Sequence, residues 1–281
     1  MSAITPAKGL HTLLIDAQRI LGGPSGRQRT AVAQQVQHKL LQLRSGRRCE
    51  RCWLASAHCV CHQLQPLAPL QSVRRVFTVL SARELGSVAN SCATFHAACP
   101  EHARWAVAGL PGEAWAEVEA AVASGALILF PSPGALPVRR ANAGAERSIS
   151  PLQASGPVDL VVPDGTWAEA TQINLRLPAE APRVVLTEAA AEGRGEAVAA
   201  SVADAGADAV AVRSGGDLGT GPTEGLSSLQ AIGRALSELG EGGGVEARLA
   251  GCQATADRAY WEQLAAAHVR SRRRVGVIRS G

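Results

Sequence analysis

Val158-Asp159-Leu160-Val161-Val162-Pro163-Asp164-Gly165-Thr166-Trp167-Ala168-Glu169-Ala170 passes from one structural period to another within a single short stretch. Its first five residues are mostly aliphatic and β-branched, the pattern of a strand covered on both faces. Pro163-Asp164-Gly165 is turn chemistry. Thr166 and Glu169 stand at capping-box spacing, so a helix should start at about Trp167. Asp164 then lies just past the carboxyl end of a buried strand and faces a helix N-terminus, which is where open α/β sheets place their sites. A carboxylate there can accept a proton or orient a nucleophile. The same residues also read as a plain tight turn followed by a core tryptophan. Position alone leaves both readings open.

Outward from this stretch the β/α alternation continues. Apolar runs predict strands over 76–80, 127–130, 158–162, 183–186 and 209–212. Helical patterns fall over 88–99, 112–124, 167–175, 197–204, 227–239 and 245–270. Residues 139–156 read as a polar loop and 215–225 as a glycine-rich one. This is the pattern of an α/β fold, a mostly parallel sheet with helices on both faces. Upstream, residues 1–25 read as an irregular arm, and 30–44 as a helix on the spacing of Val32, Val36, Leu40 and Leu43. A cysteine cluster follows, then a proline-rich linker at 66–69. Two units are expected: residues 1–70, a basic arm, helix and four-cysteine module, and residues 71–281, the α/β domain with a terminal helix and basic tail.

Of the 281 residues, 46% are hydrophobic and 19% charged, which excludes a mostly disordered chain. Aromatics at 3% argue against a surface built mainly on base stacking. The most apolar run ends at Pro131, far short of the ~20 residues a membrane span needs. The N-terminus lacks a secretory pattern, so no membrane and a cytoplasmic location are expected. Seven cysteines there should be thiols or metal ligands rather than disulfides. Charge is segregated. Residues 1–75 hold 11 Lys/Arg against 2 Asp/Glu, residues 76–258 hold 12 against 21, and residues 259–281 hold 5 against 1. Basic ends on an acidic body suit a protein that grips a polyanion, with Arg47, Arg48 and Arg51 at one end and Arg272, Arg273 and Arg274 at the other.

Cys49, Cys52, Cys59 and Cys61 form C-x2-C-x6-C-x-C. Two close thiolate pairs on a short loop can fold into a tetrahedral four-sulfur site. Structural Zn²⁺ suits that closed geometry, although an iron–sulfur cluster needs the same ligands. Cys92, Cys99 and Cys252 are isolated and read as core thiols.

Asp164-Gly165-Thr166-Trp167 resembles the signature of the DTW-domain family. Other marks of that family follow in order. They are the four-cysteine cluster, Glu84, Asn90-Ser91, Leu129-Phe130-Pro131-Ser132, Val212-Arg213 and the helix start Leu226-Ser227-Ser228-Leu229-Gln230-Ala231. Three positions depart from the family pattern. Ser81-Ala82 stands for its His-Pro, Asn90-Ser91 for Asn-Thr, and Ser228-Leu229-Gln230-Ala231 for Thr-x-Glu-Ala, which removes a carboxylate.

The resemblance implies a SPOUT-like fold with a trefoil knot, a feature rare in proteins at large. It implies transfer of a 3-amino-3-carboxypropyl group from S-adenosyl-L-methionine to N3 of a uridine in tRNA. Asp164 is then the candidate base, and Trp167 either walls the pocket or packs. Phe130, Pro131, Ser132, Leu226, Ser227 and Ser228 are expected around the donor. Leu186 joins them only as the end of a neighbouring strand. Arg213 is expected to meet a phosphate or the donor carboxylate, or else to pair with a structural acid. Two alternatives stay open: a SPOUT-type RNA methyltransferase and a non-catalytic, zinc-dependent RNA-binding protein. No Walker A or G-x-G-x-x-G pattern supports a phosphate-cofactor enzyme.

Overall fold

The structure, a computed structural model, describes residues 8–138, 156–187 and 226–278. The elements run α1 (Lys8–Gly22), α2 (Arg27–Arg44), β1 (Val73–Leu80), α3 (Cys92–Ala98), β2 (Ala103–Val107), α4 (Glu113–Ala123), β3 (Leu127–Leu129), β4 (Leu136–Pro137), β5 (Val158–Asp164), α5 (Trp167–Asn174), β6 (Arg183–Val185), α6 (Ser228–Glu238) and α7 (Val245–Ile278). The six strands form one all-parallel sheet in the order β2-β1-β5-β3-β6-β4. β5 thus sits inside it, paired with β1 through Leu80 opposite Asp164.

Both faces of the sheet are covered, which is why its strands read as apolar runs rather than alternations. The period of two nevertheless sorts the side chains. Val76, Leu80, Leu160 and Val162 point into one core with α1, α2, α3, α6 and α7. Phe77, Val79, Val161 and Ile128 point into the other, against Val118 and Val122 of α4 and Ala170 and Ile173 of α5. Leu13, Leu40 and Trp53 of the N-terminal region lie in the same buried cluster as Val76 and Leu160.

Several expectations need correction. The irregular arm is wrong for most of 1–25: residues 8–22 are helix α1. Leu10, Leu13, Leu14 and Ala17 recur at helical spacing and are all buried against α2, β2 and α4. The expected helix over 88–99 begins only at Cys92, because Asn90 and Ser91 turn the chain first. β2 and β4 were not expected. β2 is hidden by the Arg104 and Trp105 that interrupt its aliphatic residues, and β4 is two residues long. The expected strand at 209–212, the helix at 197–204, most of the loop at 139–156 and all of the loop at 215–225 lie outside the described residues.

One helix start is capped from afar. Gly112 precedes α4 and has no side chain to cap it, so Asp16 of α1 accepts from the Glu113 and Ala114 N–H groups at 2.9 and 3.1 Å. Only glycine fits at 112, since a Cβ would stand 2.1 Å from the Asp16 Cγ.

At the start of β5, Asp159 is buried and accepts from both Arg74 and Arg75, at 2.6 and 2.7 Å for the closest pairs. Burial alone would raise its carboxyl, but the hydrogen bonds and charges of the two guanidinium groups outweigh that and hold it below the usual range. A depressed folded pKa gives stability that is present above the unfolded value and lost as the pH falls through the folded one. The melting temperature should therefore drop as the pH falls below about 4. Asp159→Asn should remove part of that acid-side slope in melts taken from neutral to acid pH. An unchanged slope would show that the pair adds nothing.

Candidate active site and metal centre

Asp164 ends β5 at the carboxyl edge of the sheet and is buried. Asn90 Nδ2 donates to one of its oxygens at 2.6 Å, and Ser228 Oγ to the other at 2.5 Å. Asn90 comes from the turn before α3 and Ser228 from the first turn of α6. Ser91 Oγ accepts from the Leu229 N–H at 3.3 Å, tying the same two segments together. Three distant parts of the chain thus meet on one carboxylate. Each oxygen keeps lone-pair capacity beyond the bond it accepts.

Thr166 and Glu169 form the expected capping box, and α5 begins at Trp167. Glu169 also accepts from Ser81 Oγ at 2.8 Å. Burial would raise its carboxyl, but the hydrogen bonds from Ser81 and Thr166 keep it low. Ser81 stands where the family pattern has histidine, and it meets that helix cap. Glu84 is half-buried nearby. Burial first, then the charges of Glu169 and Asp164, push its carboxyl up, while Asn90 and Lys39 pull it back. A cavity of about 340 Å³ opens on Ser81 and Glu169 between α2 and α5, with Arg83 and Arg176 on its wall.

The Gln230 departure has a local explanation. Ser227 caps α6 by accepting from the Gln230 N–H at 3.2 Å, and Gln230 Oε1 accepts from the Ser227 N–H at 2.8 Å. Gln serves at the third position of a capping box as Glu does. The Gln230 side chain is a cap partner and is turned to Ser227.

Trp167 is half-exposed and stacks on the buried Phe130 at 5.2 Å between centroids and 15° between planes. Of the residues expected around the donor, Phe130, Pro131 and Ser132 follow β3, and Ser227 and Ser228 open α6. Leu226 is exposed, and Leu186 is buried in the core at the end of β6. Arg213 lies outside the described residues. Asn90 and Glu84 were not among the expected site residues, although both belong to the motif set that carries the resemblance.

Cys49, Cys52, Cys59 and Cys61 bring their sulfurs within 4.8 Å of one another. The Cys49–Cys61 and Cys52–Cys59 distances are 3.6 and 3.9 Å. A tetrahedron with Zn–S bonds of about 2.3 Å has edges of about 3.8 Å. Hydrogen bonds from Cys52 and Cys61 lower the Cys49 thiol, and the same contacts push Cys52 up to about 12 and Cys61 upward as well. One thiolate there thus opposes the next, and a cation is what allows four. The cluster can hold a metal ion such as zinc.

The cysteine loop is keyed into the fold. Trp53 takes a left-handed φ of 60°, unfavourable for a bulky residue, and is held by complete burial. Its ring stacks on Trp105 of β2, which stacks in turn on His96 of α3 at 3.5 Å. His96 hydrogen-bonds Thr78 of β1, and burial holds its imidazole well below the usual range, hence neutral. Ala55 N donates to Gln263 of α7. Arg48 and Arg51 donate to the Gly86 and Ala97 carbonyls, which turns part of each guanidinium inward, while Arg47 is exposed. Arg272, Arg273 and Arg274 fall in the last turns of α7. Cys92, Cys99 and Cys252 are buried thiols raised by burial, as expected of core residues.

A parallel α/β sheet with a carboxylate centre at its carboxyl edge and an adjoining four-cysteine module defines the class. The DTW domain model matches residues 46–252, and the chain belongs to the DTW-domain family. Membership is consistent with a tRNA-modifying enzyme. No curated protein and no solved structure matches the chain. Among the described residues no helix is long and apolar enough to cross a membrane.

Proposed function

We propose that the protein transfers a 3-amino-3-carboxypropyl group from S-adenosyl-L-methionine to N3 of a uridine in tRNA, on a SPOUT-like fold in the cytoplasm. The observation that carries the reading is the meeting of Asn90, Asp164 and Ser228 at the carboxyl edge of the sheet, within the span of the family match. The donor supplies an electrophilic γ-carbon, and 5′-methylthioadenosine leaves with the electron pair of the broken carbon–sulfur bond. What the chain supplies is mainly position. Asp164 takes or orients the N3 proton, with Asn90 and Ser228 fixing its carboxylate. The Phe130–Trp167 stack, Pro131, Ser132, Leu226, Ser227 and Ser228 hold the donor. Leu186 acts from beneath, through the backbone at the end of β6.

Residues 71–281 carry this chemistry. Residues 1–70 carry structural zinc on Cys49, Cys52, Cys59 and Cys61 and part of the RNA grip. Arg47, Arg48, Arg51, Arg213 and Arg272, Arg273 and Arg274 meet tRNA phosphates, joined by Arg83 and Arg176 on the cavity beside Glu169. Removing residues 271–281 should flatten the slope of log K against log salt for tRNA by somewhat less than one unit per lost contact. An unchanged slope and affinity would take the tail out of the grip. The reading is tested on the small-molecule product. Protein, tRNA and S-adenosyl-L-methionine should release 5′-methylthioadenosine. Release of S-adenosylhomocysteine would mark a methyltransferase, and release of neither a binding protein.

A further inference from the structure

We propose that the cavity between the four-cysteine loop and α7 receives one unstacked nucleobase of the substrate RNA beside the target uridine, and prefers bases with an exocyclic amino group over uracil. The proposal rests on the RNA-modifying reading above and names how that substrate is recognised. The cavity measures about 250 Å³ and is lined by Cys52, Asn90, Gln253, Asp257, Tyr260 and Trp261, among others. That is below the ~300–1,000 Å³ of pockets for drug-sized ligands, so it suits one planar ring system and not the whole donor.

Gln253, Asp257 and Trp261 follow one another at four-residue spacing and so share one face of α7. Trp261 is 54% exposed, with Tyr260 edge-on to it at 5.4 Å. Among the described residues it and Trp167 are the exposed aromatics. With so few aromatics in the chain, a single-base platform fits where a row of stacked bases does not. Gln253 Nε2 donates to Asp257 at 2.7 Å, which fixes the amide's orientation, since a carboxylate takes a donor. That leaves Gln253 Oε1 buried and without a hydrogen-bond partner. Gln253 lines the cavity, so an occupant that brings a donor and shifts this side chain slightly would satisfy that acceptor.

Oε1 and the Asp257 carboxylate only accept. They suit the amino groups of adenine, cytosine or guanine. Uracil would turn a carbonyl on each side of its N3–H toward the carboxylate, and a phosphate would meet it as a like charge. Asn90 lines the cavity and also donates to Asp164, so a base held here lies one residue away from the reacting carboxylate.

The test uses the full-length protein with its metal, and fluorescent single-stranded oligo(A), oligo(C) and oligo(U) at fixed salt. Wild type should bind oligo(A) and oligo(C) more tightly than oligo(U). Trp261→Ala should weaken oligo(A) and tRNA binding about 5- to 150-fold, the range for losing one base–aromatic stack, and Trp261→Phe should recover most of it. Gln253→Leu should bring oligo(A) toward oligo(U). S-adenosyl-L-methionine affinity and the melting temperature should hold for all three variants. Equal binding of the three oligomers by wild type, or wild-type RNA affinity in Trp261→Ala, would overturn the proposal. So would a loss of donor affinity in Trp261→Ala as large as its loss of RNA affinity, which would mark a packing residue. Trp261-dependent, amino-base-preferring binding without any transfer would remove the aminocarboxypropyl reading and keep the cavity. Full transfer by a Trp261→Ala protein with unaltered RNA affinity would do the reverse.

Discussion

Asp164→Asn should lower turnover about 10²–10⁴-fold, the usual range for losing a general base, while leaving the protein folded. The substitution is nearly isosteric. One side-chain oxygen remains to accept from Asn90 or Ser228, so the junction of β5, α6 and the turn before α3 should persist. What disappears is the charge and one of two acceptors. Donor affinity should change far less, because in the proposed reading the Phe130–Trp167 stack and the backbone opening α6 hold the donor, and the Asp164 charge does not. Thr166→Ala is the control. It removes the hydroxyl of the capping box and should cost about 1 kcal/mol of stability with a smaller effect on rate. Full turnover in Asp164→Asn with a large rate loss in Thr166→Ala would make Asp164 a turn residue.

Cys52→Ser should release the metal. Wild type should carry about one zinc per chain, by elemental analysis of cleanly purified protein. Structural zinc sites contribute roughly 10–16 kcal/mol in isolated peptides, comparable to the whole stability of a domain. Here the loop also leans on the Trp53–Trp105–His96 stack, so the sheet should survive while the loop loosens. Hydrogen exchange should accelerate over residues 46–64 and around Gln263 in the middle of α7, where that side chain accepts from Ala55. Folded wild-type protein free of metal would contradict the assignment, and a two-iron or four-iron cluster would show itself by colour and iron content.

The centre of the fold was legible because its strands are buried on both faces. β1, β3, β5 and β6 each contain a mostly apolar run, and the Thr166–Glu169 cap marks where β5 gives way to α5. The cysteine spacing predicted a cluster that the sulfur distances match. α1 does not stand out although Leu10, Leu13, Leu14 and Ala17 are at helical spacing, because the breaker run Gly22-Gly23-Pro24-Ser25-Gly26 at its end gives the segment the composition of an irregular arm. The helix expected over 88–99 was found but overran its start, because α3 begins only at Cys92 after the turn at Asn90 and Ser91. The site was legible only as separate motifs. Nothing in Asn90 or Ser228 says locally that their side chains will meet on Asp164, 74 and 64 residues away, because that meeting is made by the sheet. Gln230 shows the opposite error. Read as the loss of a carboxylate, it makes the return bond of a helix cap, which glutamine makes as glutamate does.

Nucleoside mass spectrometry of tRNA incubated with the protein and S-adenosyl-L-methionine tests the central claim most directly. The expected result is a uridine heavier by one 3-amino-3-carboxypropyl group in place of the N3 proton, absent with Asp164→Asn on the same timescale. A uridine heavier by one methyl group, or tRNA left unchanged by folded, metal-loaded protein that binds both partners, would contradict it.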